Sequence, residues 1–401
     1  MTTGRGRRLF QLAAATALLG ACETTVLRPA PASEIAADAE AVVDDRELVV
    51  VVKSPSSGAN LKRKAARLGY RVMSSERLDG LDLTMLVLAV PEGVTGPVAI
   101  AELERAEPGA TAGVNHRYTV QEAPLAFAGA ATDARAYARA LIDWPASGCR
   151  ARAPIGIIDT AVDAEDPALR DVDVVSRDFR RPRTKTADHA HGTAVAKLIA
   201  GDGRLKGARL LVASVVSLED GADVASTGVA SLMRALDWMS AEGVGVANVS
   251  LAGPYNKILD RGVQRAASRG LIIVAAAGND GPDAPPRYPG AFEDALAVTA
   301  IDYEASVFAD AASGGHIDFA APGVDVYVPF GEGPRFMTGT SIAAPFVTAR
   351  IAVDPDALAA GRADAVRKRL AENADDLGPI GRDPVYGEGL IKAPRACGDA
   401  A

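Results

Sequence analysis

Four residues far apart in the chain carry groups that together could break an acyl bond: Asp159, His191, Asn279 and Ser341. Ser341 lies in "GTSIAAP", residues 339 to 345, just ahead of the apolar run "FVTARIAV". A serine in that place commonly caps the first free amides of a helix. A nucleophilic serine needs more: an imidazole to take the hydroxyl proton, a carboxylate to fix the imidazole's tautomer, and donors for an oxyanion. Of the four histidines, His116, His189, His191 and His316, it is His191 that opens "HGTAVA", where Gly192 and Thr193 allow close packing and a cap. Asp159 ends the apolar run "IGIID", which puts its carboxylate at the C-terminal edge of a parallel sheet, where open α/β folds bind ligands. Asn279 closes "VAAAGND" and offers an amide donor suited to an oxyanion. Each residue also has an ordinary reading as a cap or a turn. What points to catalysis is all four in the order Asp, His, Asn, Ser, each at a strand end or a helix start.

The elements that would hold these residues read as α/β. From residue 153 onward, "IGIID", "ARLLVASVV", "VGVANVSL" and "LIIVAAAG" are near-continuous apolar strands. They alternate with the helical stretches "HGTAVAKLIAG", "VASLMRALDWMSAEG" and "ILDRGVQRAASRG". Such strands are buried on both faces, so a parallel sheet with helices on both sides is expected. Upstream, "ELVVVVK", "ANLKRKAARLG", "YRVMSSERL", "LDLTMLVLAVP", "GPVAIAELERAEPG" and "ATAGVNHRYTV" give the order βαββαβ, a small α+β ferredoxin-like unit over residues 47–120. Residues 121–148, with "ATDARAYARALIDW" as one helix, form a linker, and 149–397 the large domain.

The N-terminus opens with "GRGRR", an apolar stretch "LFQLAAATALLGA" and then Cys22. That stretch is short for a membrane span. "LGAC", Leu19 to Cys22, resembles a bacterial lipobox. This implies a signal peptide over 1–21, lipidation of Cys22, a tether over 22–46, and export to the periplasmic side of a membrane, with the outer membrane as default because Glu23 is not Asp. The alternative is an ordinary secretory signal. Cys149 and Cys397 flank the large domain and, in an oxidising compartment, are expected to pair; the alternative is two separate thiols. The formal charge of -8 becomes about -11 without residues 1–21, which carry Arg5, Arg7 and Arg8 and no acid. This argues against a nucleic-acid partner.

"IGIIDTAVD", "HGTAVA", "NVSLAG", "AAAGND", "APGVDV" and "GTSIAAP" together resemble the successive signature blocks of the subtilisin-like serine proteases, from about residue 153 to "DPVYGEGLIKA" at 383–393. The resemblance implies Ser341 as nucleophile, His191 as general base and later acid, Asp159 as its orienting carboxylate, and an oxyanion hole from Asn279 and the amide of Ser341. It implies that Ser250, Leu251, Ala252 and Gly253 form an edge that pairs with a peptide substrate, and that Ala275, Ala276, Ala277 and Gly278 line the adjoining pocket. Ala161, Ala194 and "IAAP" depart from the family pattern without removing a proton-transfer group. "AKLIAGDGRLKGARL" is short where many relatives loop out to bind calcium, so no metal or other cofactor is expected. The βαββαβ unit resembles the family's inhibitory propeptide, with "NHRYTVQEAP" as the tail that enters the cleft and is cut. The expected partners are then a peptide or protein substrate, the chain's own N-terminal domain as inhibitor, and the membrane through Cys22.

Two other readings stand beside the endopeptidase. One is a catalytically silent, peptide-binding lipoprotein. The other, an esterase of a different α/β type, would need a "GxSxG" elbow and the order Ser, Asp, His. Trp144 and Trp238 read as packing residues, and "RDFRRPRTK" as a solvated basic loop.

Overall fold

In a computed structural model of the chain, the described residues are 46–120, 136–182, 184–218, 224–330, 333–394 and 397. The lipobox, Cys22 and the tether lie outside them, as does most of the expected linker. Its described part, residues 136–148, contains a short helix, Tyr137–Leu141, in place of the longer one expected.

The N-terminal unit contains β1 (Glu47–Val52), α1 (Pro55–Arg67), β2 (Arg71–Leu78), β3 (Leu83–Ala89), α2 (Gly96–Ala106) and β4 (Thr111–Val114). The strands pair antiparallel in the order β2-β3-β1-β4, the ferredoxin-like arrangement. After Glu47, β1 is apolar from Leu48 to Val52, although a sheet with one wet face should alternate. The reason is that both its faces are covered. Leu48, Val50 and Val52 pack with Leu61, Ala65, Ala99 and Leu103 of α1 and α2. Val49 and Val51 pack with Met85 and Val87 into the core of the larger unit.

The expected last strand, Ala110–Val120, divides in two. After β4 the chain turns at Asn115 and His116 and forms β5 (Arg117–Val120), which leaves the small sheet altogether. A single residue pattern cannot show that two adjacent extended segments belong to different sheets.

The larger unit is built on seven parallel strands: β6 (Ile155–Asp159), β7 (Asp173–Asp178), β8 (Arg209–Ser214), β10 (Val246–Val249), β12 (Ile272–Ala276), β13 (Ala295–Ile301) and β14 (Ile317–Pro322). Their order is β14-β13-β12-β10-β6-β8-β7. Between them run the short β9 (Ser226–Gly228) and β11 (Leu251–Ala252). Helices α3 (Ala190–Ala200) and α6 (Thr340–Ala352) cover one face with Ile155 and Ile157. Helices α4 (Val229–Ala241) and α5 (Lys257–Ala267) cover the other with Ile158 and Leu211. The fold is therefore the expected parallel sheet between two helical layers. β7, a polar edge strand, and β13 and β14 were not singled out from the sequence.

Cys149 and Cys397 form a disulfide with Cα atoms 4.9 Å apart, and Trp144 and Trp238 are buried packing residues. The basic loop is less solvated than its composition implies: Arg180 pairs with Asp178, and Arg181 reaches Glu47 of β1. Among the described residues, no helix is long and apolar enough to cross a membrane.

Candidate active site

Asp159 is the last residue of β6, and its carboxylate is fully buried at the C-terminal end of the sheet. His191 is the second residue of α3. The turn after Asp159 and the start of α3 approach closely because Gly192 has no side chain; a Cβ there would lie 2.6 Å from the carbonyl oxygen of Ala161. The contact is tied by Gly192 N–H donating to Thr160 Oγ1 at 2.8 Å and Asp163 N–H donating to Thr193 Oγ1 at 2.9 Å.

These ties bring the side chains together. His191 Nδ1 is 2.8 Å from Asp159 Oδ1, and His191 Nε2 is 3.0 Å from Ser341 Oγ. A carboxylate can only accept, so Nδ1 carries the proton and Nε2 is left to accept from the serine hydroxyl. This is the geometry of a base poised on a nucleophile.

Ser341 is the second residue of α6. In an unbroken helix its carbonyl would accept the amide of residue 345, but that residue is Pro345 and has no N–H. The free carbonyl is taken by Ser250 Oγ, which donates to it at 3.0 Å. Ser250 Oγ in turn accepts from Asn248 Nδ2 at 2.7 Å, and Asn248 Oδ1 accepts from Thr348 Oγ1 at 3.1 Å. All four residues are fully buried. A buried polar chain whose members are satisfied fixes position well, and this one fixes the backbone under the nucleophile. Its members are small polar residues of the kind that also occur as caps, so "NVSL" gave the sequence no sign of it.

Asn279 lies in the loop that follows β12, three residues beyond the strand's end. Its Oδ1 accepts from both the backbone amide and the hydroxyl of Thr340, at 3.1 and 2.9 Å. That leaves the Nδ2 hydrogens as the donors this side chain can turn to an oxyanion, with the amide of Ser341 at the start of α6, where the helix dipole favours negative charge. Thr340 was overlooked in the sequence because its role lies in orienting a donor.

The expected substrate edge holds a strand of the chain itself. β5 runs antiparallel between β11 and β9, with Leu251 opposite Val120, Ala252 opposite Thr119, Ser226 opposite Thr119 and Gly228 opposite Arg117. Leu251 packs in the core and contributes backbone to the edge, while the side chain of Ser250 is committed to Ser341. Gly253 exchanges backbone hydrogen bonds with Tyr288. Ala275, Ala276 and Ala277 are fully buried, and Gly278 has a positive φ of 116°.

His189 is exposed two residues before His191. His116 is fully buried beside Asn256 at the turn between β4 and β5. His316 is buried far along the chain before β14, with neither ring nitrogen hydrogen-bonded. Among the described residues no group of three or more His, Cys, Asp or Glu could hold a metal ion.

Comparison with known proteins agrees with this geometry. Residues 152–389 match the subtilase family. Subtilisin DY of Bacillus licheniformis is 31% identical over 255 residues, covering 61% of this chain and 91% of that protein. The minor extracellular protease Epr of Bacillus subtilis (strain 168) is 30% identical, over 53% of this chain and 34% of its own length. The fold is shared with fervidolysin from Fervidobacterium pennivorans, a keratinolytic enzyme related to subtilisin. The TM-score is 0.68 at 20% identity, over 88% of this chain and 61% of that one. The chain thus spans only part of the length of some relatives that it matches. The family match covers more than half of the sequence and includes every block that carries the site, and on that ground the chain belongs to the subtilase family, the subtilisin-like serine proteases.

Proposed function

We propose that the protein is a serine endopeptidase of the bacterial cell envelope that hydrolyses peptide bonds through an acyl-enzyme on Ser341 and cuts its own N-terminal domain from the catalytic unit. The observation that carries the reading is the hydrogen-bonded line Asp159, His191, Ser341, at 2.8 and 3.0 Å. Ser341 Oγ attacks the scissile carbonyl as His191 Nε2 takes its proton. Asp159 stabilises the imidazolium, and Asn279 with the Ser341 amide receives the oxyanion. His191 then protonates the leaving amine, and the same relay activates the water that releases the acyl group.

An extended peptide is the fitting substrate, because the edges of β9 and β11 offer backbone hydrogen bonds to a strand between them. The register of β5 supports self-cleavage: Val120, the last residue of β5, lies opposite Leu251, whose neighbour Ser250 bonds the Ser341 carbonyl, and the proposed cut is just past it, between Gln121 and Glu122. Before the cut, β5 fills the cleft, and this supports an inhibitory role for the N-terminal domain. The lipobox at Cys22 supports a lipid anchor, and a cut at 121 leaves the anchor on the N-terminal piece. The catalytic unit then stays at the membrane only while the two remain docked.

Labelling with a fluorophosphonate tests the catalytic reading. Wild type is expected to be modified at Ser341, and Ser341→Ala and His191→Ala are not. A folded wild type that takes up no label overturns the reading.

A further inference from the structure

Helix α3 is buried from His191 to Ala200, yet it carries a lysine into the core. Lys197 is 7% exposed and its partner Asp166 8%. Lys197 Nζ donates to Asp166 Oδ2 at 2.7 Å and to the carbonyl oxygen of Pro329, and lies 4.6 Å from the ring centroid of Phe330. A buried ion pair is a poor source of stability, since well-packed apolar residues in its place are often as stable or more so. The rest of the helix, with Val195, Leu198 and Ile199, packs in an apolar core that such residues would join. What the lysine supplies instead is direction: an ammonium has three donors and no acceptor, and here it fixes two oxygens and a ring around one point.

These partners belong to the segments that carry Asp159 and Ser341. Asp166 lies in the loop that follows Asp159, where its other oxygen accepts the amide of Ala168 at 2.9 Å and starts the 3-10 turn Pro167–Leu169. Pro329 and Phe330 end β15 (Val326–Phe330), which pairs antiparallel with β16 (Gly333–Met337). β16 leads through Thr338 and Gly339 into α6 and Ser341. Lys197 itself is on the helix that begins beside His191. Thr193 and Lys197 are four residues apart on that helix and so share a face. Thr193 holds the loop at Asp163 and Lys197 holds it at Asp166, one turn further on. Lys197 then reaches past the loop to the hairpin.

We infer that Lys197 is a positioning residue for the reaction: its ammonium locks together the three segments that carry Asp159, His191 and Ser341, and so sets the distances between them. Its contacts, Asp166, Pro329 and Phe330, include none of the reacting groups, and it acts through the elements they belong to. Misplacing a reacting group by about 1 Å can cost roughly 100-fold in rate. Loss of Lys197 should therefore lower kcat and leave KM nearly unchanged, because the edges of β9 and β11 are not among its contacts. The inference rests on the endopeptidase reading above and adds to it a residue outside the hydrogen-bonded line.

The test uses the full chain, with reactive Ser341 counted by a fluorophosphonate and hydrolysis followed on fluorescently labelled casein. Wild type is compared with Lys197→Met, which leaves Asp166 buried without its cation, and with the double variant Lys197→Met/Asp166→Asn, which removes both charges and keeps the oxygen that accepts the Ala168 amide. Per labelled serine, both variants are expected to show kcat about 10- to 100-fold below wild type, with KM within about twofold. The double variant should also melt within about 5 °C of wild type, so that lost rate and lost stability separate. Wild-type kcat in the double variant, a loss confined to KM, or a melting temperature that falls together with kcat overturns the positioning role and leaves the endopeptidase reading standing. A double variant that does not fold also overturns it, because the pair would then serve the fold itself. A wild type that takes no label and leaves casein intact overturns the endopeptidase reading.

Discussion

The hydroxyl of Ser341 owes its position to side chains on neighbouring elements. Pro345 removes the amide that would have bound the Ser341 carbonyl, and Ser250 takes its place. Thr340 holds Asn279 by its oxygen, which leaves donation to the nitrogen. The four side chains proposed as catalytic were legible in the sequence because their types are chemically distinctive and each sits at the end of an apolar run. Their supports, Thr340, Asn248, Ser250 and Thr348, were not, because hydroxyls and amides are common and their partners lie up to 100 residues away. Asn279→Ala is expected to lower kcat by roughly 100- to 1,000-fold with little change in KM, the range known for loss of the same donor in a subtilisin. An unchanged kcat in a peptide assay would remove Asn279 from the oxyanion site.

Among the elements, the strands β6, β8, β10 and β12 and the covering helices followed from their patterns, since a strand buried on both faces is apolar throughout, whereas β13 and β14, equally buried, were not singled out. β7 did not, because a polar strand at the sheet edge resembles a loop in composition. The two ends of the large domain meet where the strand Cys149–Arg150 pairs with Leu205–Lys206 and the bridge to Cys397 closes. In the chain-entropy model a loop of this length contributes roughly 5 kcal/mol, and real bridges often less. Replacing both cysteines by serine should therefore lower the melting temperature by about 5 to 15 °C, read by calorimetry under non-reducing conditions. An unchanged transition would show that the bridge adds nothing.

The segment before β14 should carry a pH dependence. Burial holds His316 below its ordinary value of 6.5, opposed by the Asp318 carboxylate and reinforced by Arg382. The unfolded chain then takes up the proton first, so the stability contributed by neutral His316 is present above about pH 6.5 and is lost as pH falls below it. The melting temperature of His316→Gln should decline less steeply than that of wild type between pH 7 and pH 5. Parallel curves would exclude His316 as a source of acid sensitivity.

At the scale of the whole molecule, the two units meet through an apolar face and a set of ion pairs of one polarity. Glu47 pairs with Arg181, Glu76 with Arg234, Asp82 with Arg265 and Glu104 with Lys257. In each pair the acid is on the N-terminal unit and the base on the catalytic unit. The run "VVVV" already hinted at this interface, since a strand of a small antiparallel sheet has no other cause to be apolar on both faces. The place where the chain leaves one sheet for the other, at Asn115 and His116, carried no such sign. Glu47 is buried, whereas the other three pairs are partly exposed on both sides, and each of those three contributes about 0 to 1 kcal/mol at low salt. Peptide hydrolysis by a self-processed preparation should therefore rise several-fold as salt is raised from about 0.05 to 0.5 M, as the N-terminal piece dissociates. A flat response would mean that the apolar face alone holds the two together.

The measurement that bears most directly on the proposed activity is the intact mass of the purified protein beside its Ser341→Ala variant. The wild type is expected to separate into two pieces divided between Gln121 and Glu122, while the variant keeps its full mass. The same uncut mass for both would contradict a working triad that cleaves its own chain.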